Sequence, residues 1–270
     1  DMEAEILGMG TGNKKIILLL NKIDLVPAEV AQAWQKELKK EFATILFKSN
    51  TQSQSGNLSQ NALYGKSITT RKELTEELLS SNKAVGADDL LELLKNYSRH
   101  GDVKTAITVG IIGFPNVGKS SVINSLKRNK AVGVSSTAGF TKIMQEITLD
   151  KKIKLLDCPG IVFTDAKSSD LNVLKNVVKI EDLDDPYRPV DILLQKVNKM
   201  EILKRYEIAE FDENNPTQFL AMIANKRGKL KKGGIPDFDQ AARLVLQDWT
   251  SGRLPYYTVP PTHEDIDMNQ

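Results

Sequence analysis

The chain has 270 residues, 40% of them apolar, and its 37 basic residues nearly balance 35 acidic ones for a net charge of +2. That is enough for one substantial α/β domain and a smaller helical one, and too even a balance for the whole molecule to be read as a nucleic-acid-binding polycation. A single cysteine, Cys158, excludes an internal disulfide, no apolar run approaches the ~20 residues of a membrane-spanning helix, and no cleavable signal pattern opens the sequence, so a reducing compartment, cytosolic or nuclear, is expected.

Lys15 to Leu20 is a short continuous apolar run ending at a polar loop, the pattern of a parallel strand buried on both faces. Asn21-Lys22-Ile23-Asp24 sits at its carboxyl end. Pro27 opens a helix to about Phe42, because Val30, Ala33, Trp34, Leu38 and Phe42 share one face at helical spacing, and Thr44 to Phe47 forms the next strand. From Asn50 to Gln60 every residue except Leu58 is polar or glycine. So little apolar surface cannot offset the entropy of ordering, and a flexible insertion is expected over about residues 50–68. Asp88 and Asp89 then stand at the positive end of a helix carrying Leu90, Leu91, Leu94 and Tyr97, which returns the chain to the strand Thr105 to Ile112. A helix from Lys119 to about Arg128, a loop centred on Gly139 and two strands follow, Lys142 to Leu149 and Lys152 to Leu156, with Asp150-Lys151 as their turn. Beyond Phe163 the pattern turns helical, at Pro189 to Tyr206, Pro216 to Ala224 and Asp237 to Trp249. A boundary near residues 164–170 divides an α/β domain with a mostly parallel sheet, residues 1–165, from a small all-α domain, residues 166–270.

Gly113-Phe114-Pro115-Asn116-Val117-Gly118-Lys119-Ser120 lies between a strand and a helix. GxxxxGKS in that context is a phosphate loop, in which the backbone from Pro115 through Val117, Gly118 and Ser121 cradles phosphate oxygens at a helix N-terminus. Lys119 is expected on the β- and γ-phosphates and the Ser120 hydroxyl on Mg²⁺. Asp157-Cys158-Pro159-Gly160 follows a strand. Taken alone DCPG is equally a simple turn; behind a phosphate loop, Asp157 reads as the carboxylate that reaches Mg²⁺ and Gly160 as the residue whose N–H approaches the γ-phosphate. Asn21-Lys22-Ile23-Asp24 explains the base. The Asp24 carboxylate can accept from guanine N1–H and the exocyclic amine, a donor pair adenine does not offer, while Asn21 braces the loop and the Lys22 stem lies near the ring.

In order, NKID, then GFPNVGKSS, then Gly139-Phe140-Thr141-Lys142, then DCPG is the reverse of ordinary GTPases, which place the base-reading segment after the phosphate loop. The chain resembles the circularly permuted YlqF/YawG GTPases, and GFPNVGKSSVINSLKR with KLKKGGIPDFDQAARLVLQDWTSGRLPYYTVPP is similar to the nucleostemin-like nucleolar GTPases that assemble the large ribosomal subunit. The likeness runs from about Asn13 to Pro261, interrupted by the polar insertion. It implies a P-loop NTPase fold, a GTP/GDP site, a nuclear and nucleolar location, and pre-60S particles, ribosomal RNA and assembly proteins as partners, with no membrane signal. It makes Thr141 the switch threonine that senses Mg²⁺ and γ-phosphate. Ser49 and Asn50 fall in the second base-contact segment, where relatives favour Ser-Ala or Ala-Ser, and Asn116 matches an asparagine that helps hold K⁺ in potassium-activated relatives.

Lys119, Thr141, Gly160 and Asn116 are thus the expected catalytic set. Ile161 occupies the place of the water-orienting glutamine of Ras-like enzymes, so slow intrinsic hydrolysis, stimulated by K⁺ or a partner, is expected, and a nucleotide-gated RNA-binding placeholder that barely hydrolyses GTP is the alternative. Lys226 to Lys232 places five basic residues in seven positions; alone it is a solvated turn, and on a helical domain of this kind it reads as a ribosomal-RNA contact. Tyr256 and Tyr257 are read as packing on the preceding helix rather than stacking on bases, and His100 and His263 as structural or surface residues. The strands as read lack a partner between Thr105 to Ile112 and Lys15 to Leu20. In permuted relatives that strand precedes the base motif, and Asp1 to Leu7 resembles the end of the helix after it, so a central strand upstream of this sequence is expected. Because DCPG leads almost directly into the helical domain, γ-phosphate contacts at Gly160 and Thr141 are expected to bias that domain's placement.

Overall fold

The computed structural model describes residues 14–50, 79, 81, 83–100, 103–128, 131–134, 141, 143–161, 173–175 and 178–261. The expected insertion beyond Asn50 to residue 68, Asp1 to Leu7, Gly139, the boundary at 164–170 and His263 lie outside these residues.

Strand β1 (Ile17–Leu20) pairs in parallel with β2 (Ala43–Leu46), Ile17 opposite Ala43 and Leu20 opposite Leu46, and the connection between them carries helix α1 (Ala28–Leu38). Pro27 precedes the first turn of α1 with φ −57, a pre-set angle suited to a helix entrance. The helix stops at Lys39 rather than running to Phe42, whose N–H still donates to Leu38 O at 3.1 Å. After α2 (Ala87–Tyr97) come two elements that the sequence reading missed, β3 (Arg99–His100) and β4 (Val103–Lys104), a minimal antiparallel pair too short to show a periodicity. Strand β5 (Ile107–Ile111) then pairs in parallel with β7 (Ile153–Asp157), which pairs antiparallel with β6 (Gln145–Asp150), and α3 (Lys119–Lys127) follows β5.

Among the described residues the strands form separate sheets, β1-β2 and β5-β7-β6, with no ladder between β1 and β5. This corrects the expectation that β1 is buried on both faces: all four of its residues are only half-buried, as are Ile107, Val109 and Ile111 of β5. β1 and β5 share no ladder among the described residues, and Leu19 and Leu20 of β1, Ile111 and Ile112 at the end of β5, and Val122 of α3 line a cavity of about 440 Å³. The two sheets are held together by side chains, with Phe47, Leu94, Ile123 and Leu155 at the centre of a core they share with α2 and α3.

The second core belongs to the helical domain, α4 (Tyr187–Lys196), α5 (Lys199–Tyr206), α6 (Pro216–Lys226) and α7 (Phe238–Thr250). The helix expected from Pro189 to Tyr206 is two helices. Asn198 breaks it by accepting from Met200 N–H at 2.9 Å and capping α5, a side-chain bond that competes with continued helix. Asn215 and Asp237 cap α6 and α7 in the same way. None of the described helices is long and apolar enough to cross a membrane.

Asp248 anchors the end of α7. Its carboxylate accepts from Arg205 Nη2 at 3.0 Å and from Arg253 Nη1 at 3.1 Å while its side chain is only 4% exposed. Burial alone would raise its pKa, but the hydrogen bonds from Arg205 and Arg253, reinforced by their charge, hold it below the ordinary carboxylate range. A depressed folded-state pKa stabilises the fold above the unfolded value of about 3.9 and loses that contribution as pH falls through the folded value. Asp248→Ala strands two guanidinium groups at the domain's edge and should cost about 3 kcal/mol in urea unfolding followed by circular dichroism. The acid-induced loss below about pH 4 should be correspondingly shallower in the variant.

Candidate nucleotide site

The phosphate loop runs from the end of β5 into α3, and Gly118 caps that helix in the left-handed conformation, φ 95. A Cβ on Gly118 would stand 2.4 Å from Asn21 Nδ2, so only glycine admits what is found there: Asn21 Nδ2 donates to Val117 O at 2.9 Å. The Asn21–Asp24 loop of one sheet is thereby fastened to the phosphate loop of the other. Ser49 Oγ donates to Asn21 Oδ1 at 3.3 Å, and Asn50 N–H donates at 2.9 Å to Ser125 Oγ on α3. The segment at 49–50 therefore reaches both motifs.

Lys22 is left-handed, φ 60, and opens a three-residue turn, Ile23–Leu25, in which Ile23 is buried and Asp24 is exposed. Beneath it lies a residue the sequence reading did not single out. Lys48 is 3% exposed, and its ammonium donates to Leu79 O at 2.7 Å and to Ser81 O. Burial pushes its pKa down, against the charge of Asp24, which favours the ammonium. The signal was slight: a lysine directly after the apolar run Thr44 to Phe47 has to find carbonyls if it is to stay charged.

On the phosphate side, Lys119 is 8% exposed and arches over its own loop to donate to Phe114 O at 2.8 Å and Gly113 O at 3.1 Å. Burial lowers its pKa, and Asp157 and then Cys158 oppose that shift. Ser120 Oγ donates to Asp157 Oδ2 at 2.8 Å and lies 3.3 Å from Thr141 Oγ1. Asp157 is 1% exposed, yet its Oδ1 has no hydrogen-bond partner. A buried carboxylate oxygen with nothing to accept from, beside two hydroxyls, is what a small hard cation needs. No group of three or more His, Cys, Asp or Glu that could hold a metal occurs among the described residues. One buried carboxylate oxygen left open beside the Ser120 and Thr141 hydroxyls fits Mg²⁺, which keeps waters and takes phosphate oxygens rather than a full protein cage.

The DCPG turn closes on the phosphate loop. A Cβ on Gly160 would lie 2.8 Å from Pro115 N, and Ile161 N–H donates to Gly113 O at 3.1 Å. Asn116 is half-buried and left-handed, φ 59. The cavity between the sheets is lined by Asn21, Lys22, Asn116, Val117 and Lys119, and also by Leu174, Lys175, Trp249 and Thr250 of the helical domain, which no motif announced. Away from it, Lys226 donates to Glu207 O at 2.5 Å and Arg227 to Arg205 O at 3.5 Å. Lys231 and Lys232 are exposed, beside Gly233 and Gly234, which are left-handed and open to solvent. Tyr256 packs on Trp249 with ring centroids 5.3 Å apart, and His100 lies in β3.

Residues 108–226 match the family model described as 50S ribosome-binding GTPase. The chain is 46% identical over 265 residues to the Guanine nucleotide-binding protein-like NSN1 of Arabidopsis thaliana, covering 98% of this chain and 44% of that one. It is 35% identical over 254 residues to the Nuclear/nucleolar GTPase 2 of the same plant, covering 94% and 38%. The chain therefore spans less than half the length of each of these relatives. Among solved structures its fold is similar to GDP-bound TM YlqF, with a TM-score of 0.53 at 23% identity over 94% of this chain and 87% of that one.

Two substitutions separate the loops' roles. Asp24→Asn replaces a carboxylate oxygen with an amide donor, and preference should pass from guanine to xanthine nucleotides in competition titrations; unchanged selectivity would contradict the base assignment. Lys119→Ala should weaken triphosphate binding at least tenfold by the loss of a charge-assisted contact, and an unaltered affinity would count against the phosphate-loop role.

Proposed function

We propose that the chain is a nucleostemin-like guanine nucleotide-binding protein, a GTPase of the permuted P-loop type, and that it binds and slowly hydrolyses GTP as a factor in nuclear and nucleolar assembly of the large, 60S, ribosomal subunit. One observation carries the reading. The Asn21 to Val117 hydrogen bond sets the base-reading loop beside a phosphate loop whose Lys119, Ser120, Thr141 and Asp157 converge.

In this reading the N–H groups from Val117 to Ser121, together with the N-terminus of α3, bind the phosphates. Lys119 exchanges the neutral carbonyls of Gly113 and Phe114 for β- and γ-phosphate oxygens, a stronger, charge-assisted pairing. Asp24 accepts from the guanine edge, with Lys22, Ser49 and Asn50 beside the ring. Ser120, Thr141 and Asp157 would hold Mg²⁺, which when bound neutralises charge on the phosphate oxygens. Asn116 would help hold K⁺, and Gly160 N–H meets the γ-phosphate. Ile161 carries no polar side-chain atom with which to orient a water, so the residues present favour binding over fast turnover.

The assembly role draws on the relatives' names, which include a nuclear/nucleolar GTPase, and on the family described as ribosome-binding. Lys231 and Lys232, on an open glycine-flanked turn, offer phosphate contacts to ribosomal RNA. Ile161 favours the second reading, a nucleotide-gated RNA-binding placeholder with negligible hydrolysis. Single-turnover GTP hydrolysis measured with Na⁺, with K⁺ and with pre-ribosomal particles decides between them. The proposal expects at least tenfold acceleration by K⁺ or by the particle; a rate that neither moves would leave the placeholder.

A further inference from the structure

The helical domain meets the candidate nucleotide site on its base-reading side. Gly252, just past α7, is left-handed at φ 73, and a Cβ built on it would stand 3.1 Å from Leu25 Cδ2 and 3.2 Å from Leu25 Cδ1. Its backbone thus lies directly against the residue that follows Asp24. Further along, Thr258 O accepts from Trp34 Nε1 of α1 at 2.7 Å. The same segment is rooted in the helical domain at three points. Leu254 is 2% exposed in that domain's core, Arg253 pairs with Asp248 at 3.1 Å, and Trp249 Nε1 donates to Leu174 O at 2.7 Å. Trp249 and Thr250 also share a cavity wall with Asn21 and Lys22.

We infer that the segment from Trp249 to Thr258 is a positioning support for the base-reading loop, so that guanine affinity depends on the docked helical domain; this rests on reading Asn21 to Asp24 as the guanine contact. Asn21 fixes the start of the loop through Val117 and Ser49, and the part that carries Asp24 has less to hold it. It is a three-residue turn opened by a left-handed lysine, with Ile23 as its buried anchor and a long 3.5 Å hydrogen bond from Ile23 N–H to Phe47 O. A carboxylate on so short a turn must be ordered before it can accept two hydrogen bonds from a purine edge, and ordering it at the moment of binding lowers affinity. Gly252 against Leu25 and Thr258 on Trp34 order it beforehand, both from the side that follows Asp24 in the chain. Coupling of this kind is reciprocal, so guanine binding must in turn tighten the segment. Leu25, Gly252 and Trp34 act through Asp24 and are positioning residues.

The full chain is tested with N-methylanthraniloyl-GDP, competed by unlabelled GDP and by inorganic tripolyphosphate, which lacks a base. Leu25→Ala and Trp34→Phe should each weaken GDP about three- to tenfold and leave tripolyphosphate competition unchanged. Gly252→Ala should weaken GDP at least as much. In the Trp34→Phe variant Trp249 is the sole tryptophan, and its emission should shift on adding GDP but not tripolyphosphate. GDP should also raise hydrogen-exchange protection over residues 249–258 in the wild-type chain. If Asp24→Asn switches selectivity while Leu25→Ala and Trp34→Phe leave GDP affinity intact, the support is disproved and the base reading stands. Equal loss of both probes means general unfolding, and that outcome too overturns the inference. No selectivity switch in Asp24→Asn removes the base reading, and this inference with it.

Discussion

A side-chain amide registers the two halves of this domain, with Asn50 N–H on Ser125 Oγ beside it. β1-β2 and β5-β7-β6 share a side-chain core but no ladder, so backbone hydrogen bonds do not fix the distance between the loops at their carboxyl ends. Asn21 Nδ2 on Val117 O does so, in space that exists because Gly118 has no Cβ. The same asparagine receives Ser49, and its loop continues into Asp24. The contact thereby fixes how far the Asn21–Asp24 turn stands from the phosphate loop, the spacing on which the proposed nucleotide site depends.

The phosphate side is organised by substitution of partners. Lys119 is satisfied by neutral carbonyls, Ser120 by Asp157, and one oxygen of Asp157 by nothing. Buried polar groups held in weaker or incomplete arrangements are poised for a ligand that completes them, because unpaired buried charge is costly and charge-assisted replacements are stronger. Burial depresses the pKa of Lys119 while the charge of Asp157 opposes that shift. Ile161 offers no comparable poise towards water.

How legible this was in the sequence depended on the range of the cause. GFPNVGKS, DCPG and NKID are each legible as a local turn, and the first two lie together because β5 and β7, whose ends they follow, are parallel neighbours, while NKID is brought to them by Asn21 on Val117. Helix boundaries followed caps that could be read, such as Asp237, and failed where one asparagine, Asn198, turned a continuous apolar pattern into two helices. The β3-β4 pair was too short to show a period, and the half-exposure of β1 depended on a neighbour rather than on its own residues. Lys48, Trp249 and Gly252 were invisible for a further reason. Their meaning comes from long-range contacts, Lys48 with Leu79 and Gly252 with Leu25, and no motif or periodicity records a contact of that kind.

Permutation changes which part of the site a neighbouring domain can feel. Chain continuity after DCPG suggested coupling through the γ-phosphate side, yet the contacts between described residues lie at the base, where Gly252 meets Leu25 and Thr258 meets Trp34. The two routes are not exclusive. Leu174 belongs to the stretch that follows DCPG in the chain, and its carbonyl accepts from Trp249, the residue that begins the segment touching the base loop. Trp249 is in turn packed against Tyr256, two residues before Thr258, whose carbonyl accepts from Trp34. The two indoles, Trp249 on Leu174 and Trp34 on Thr258, thus tie the same segment to both parts of the chain.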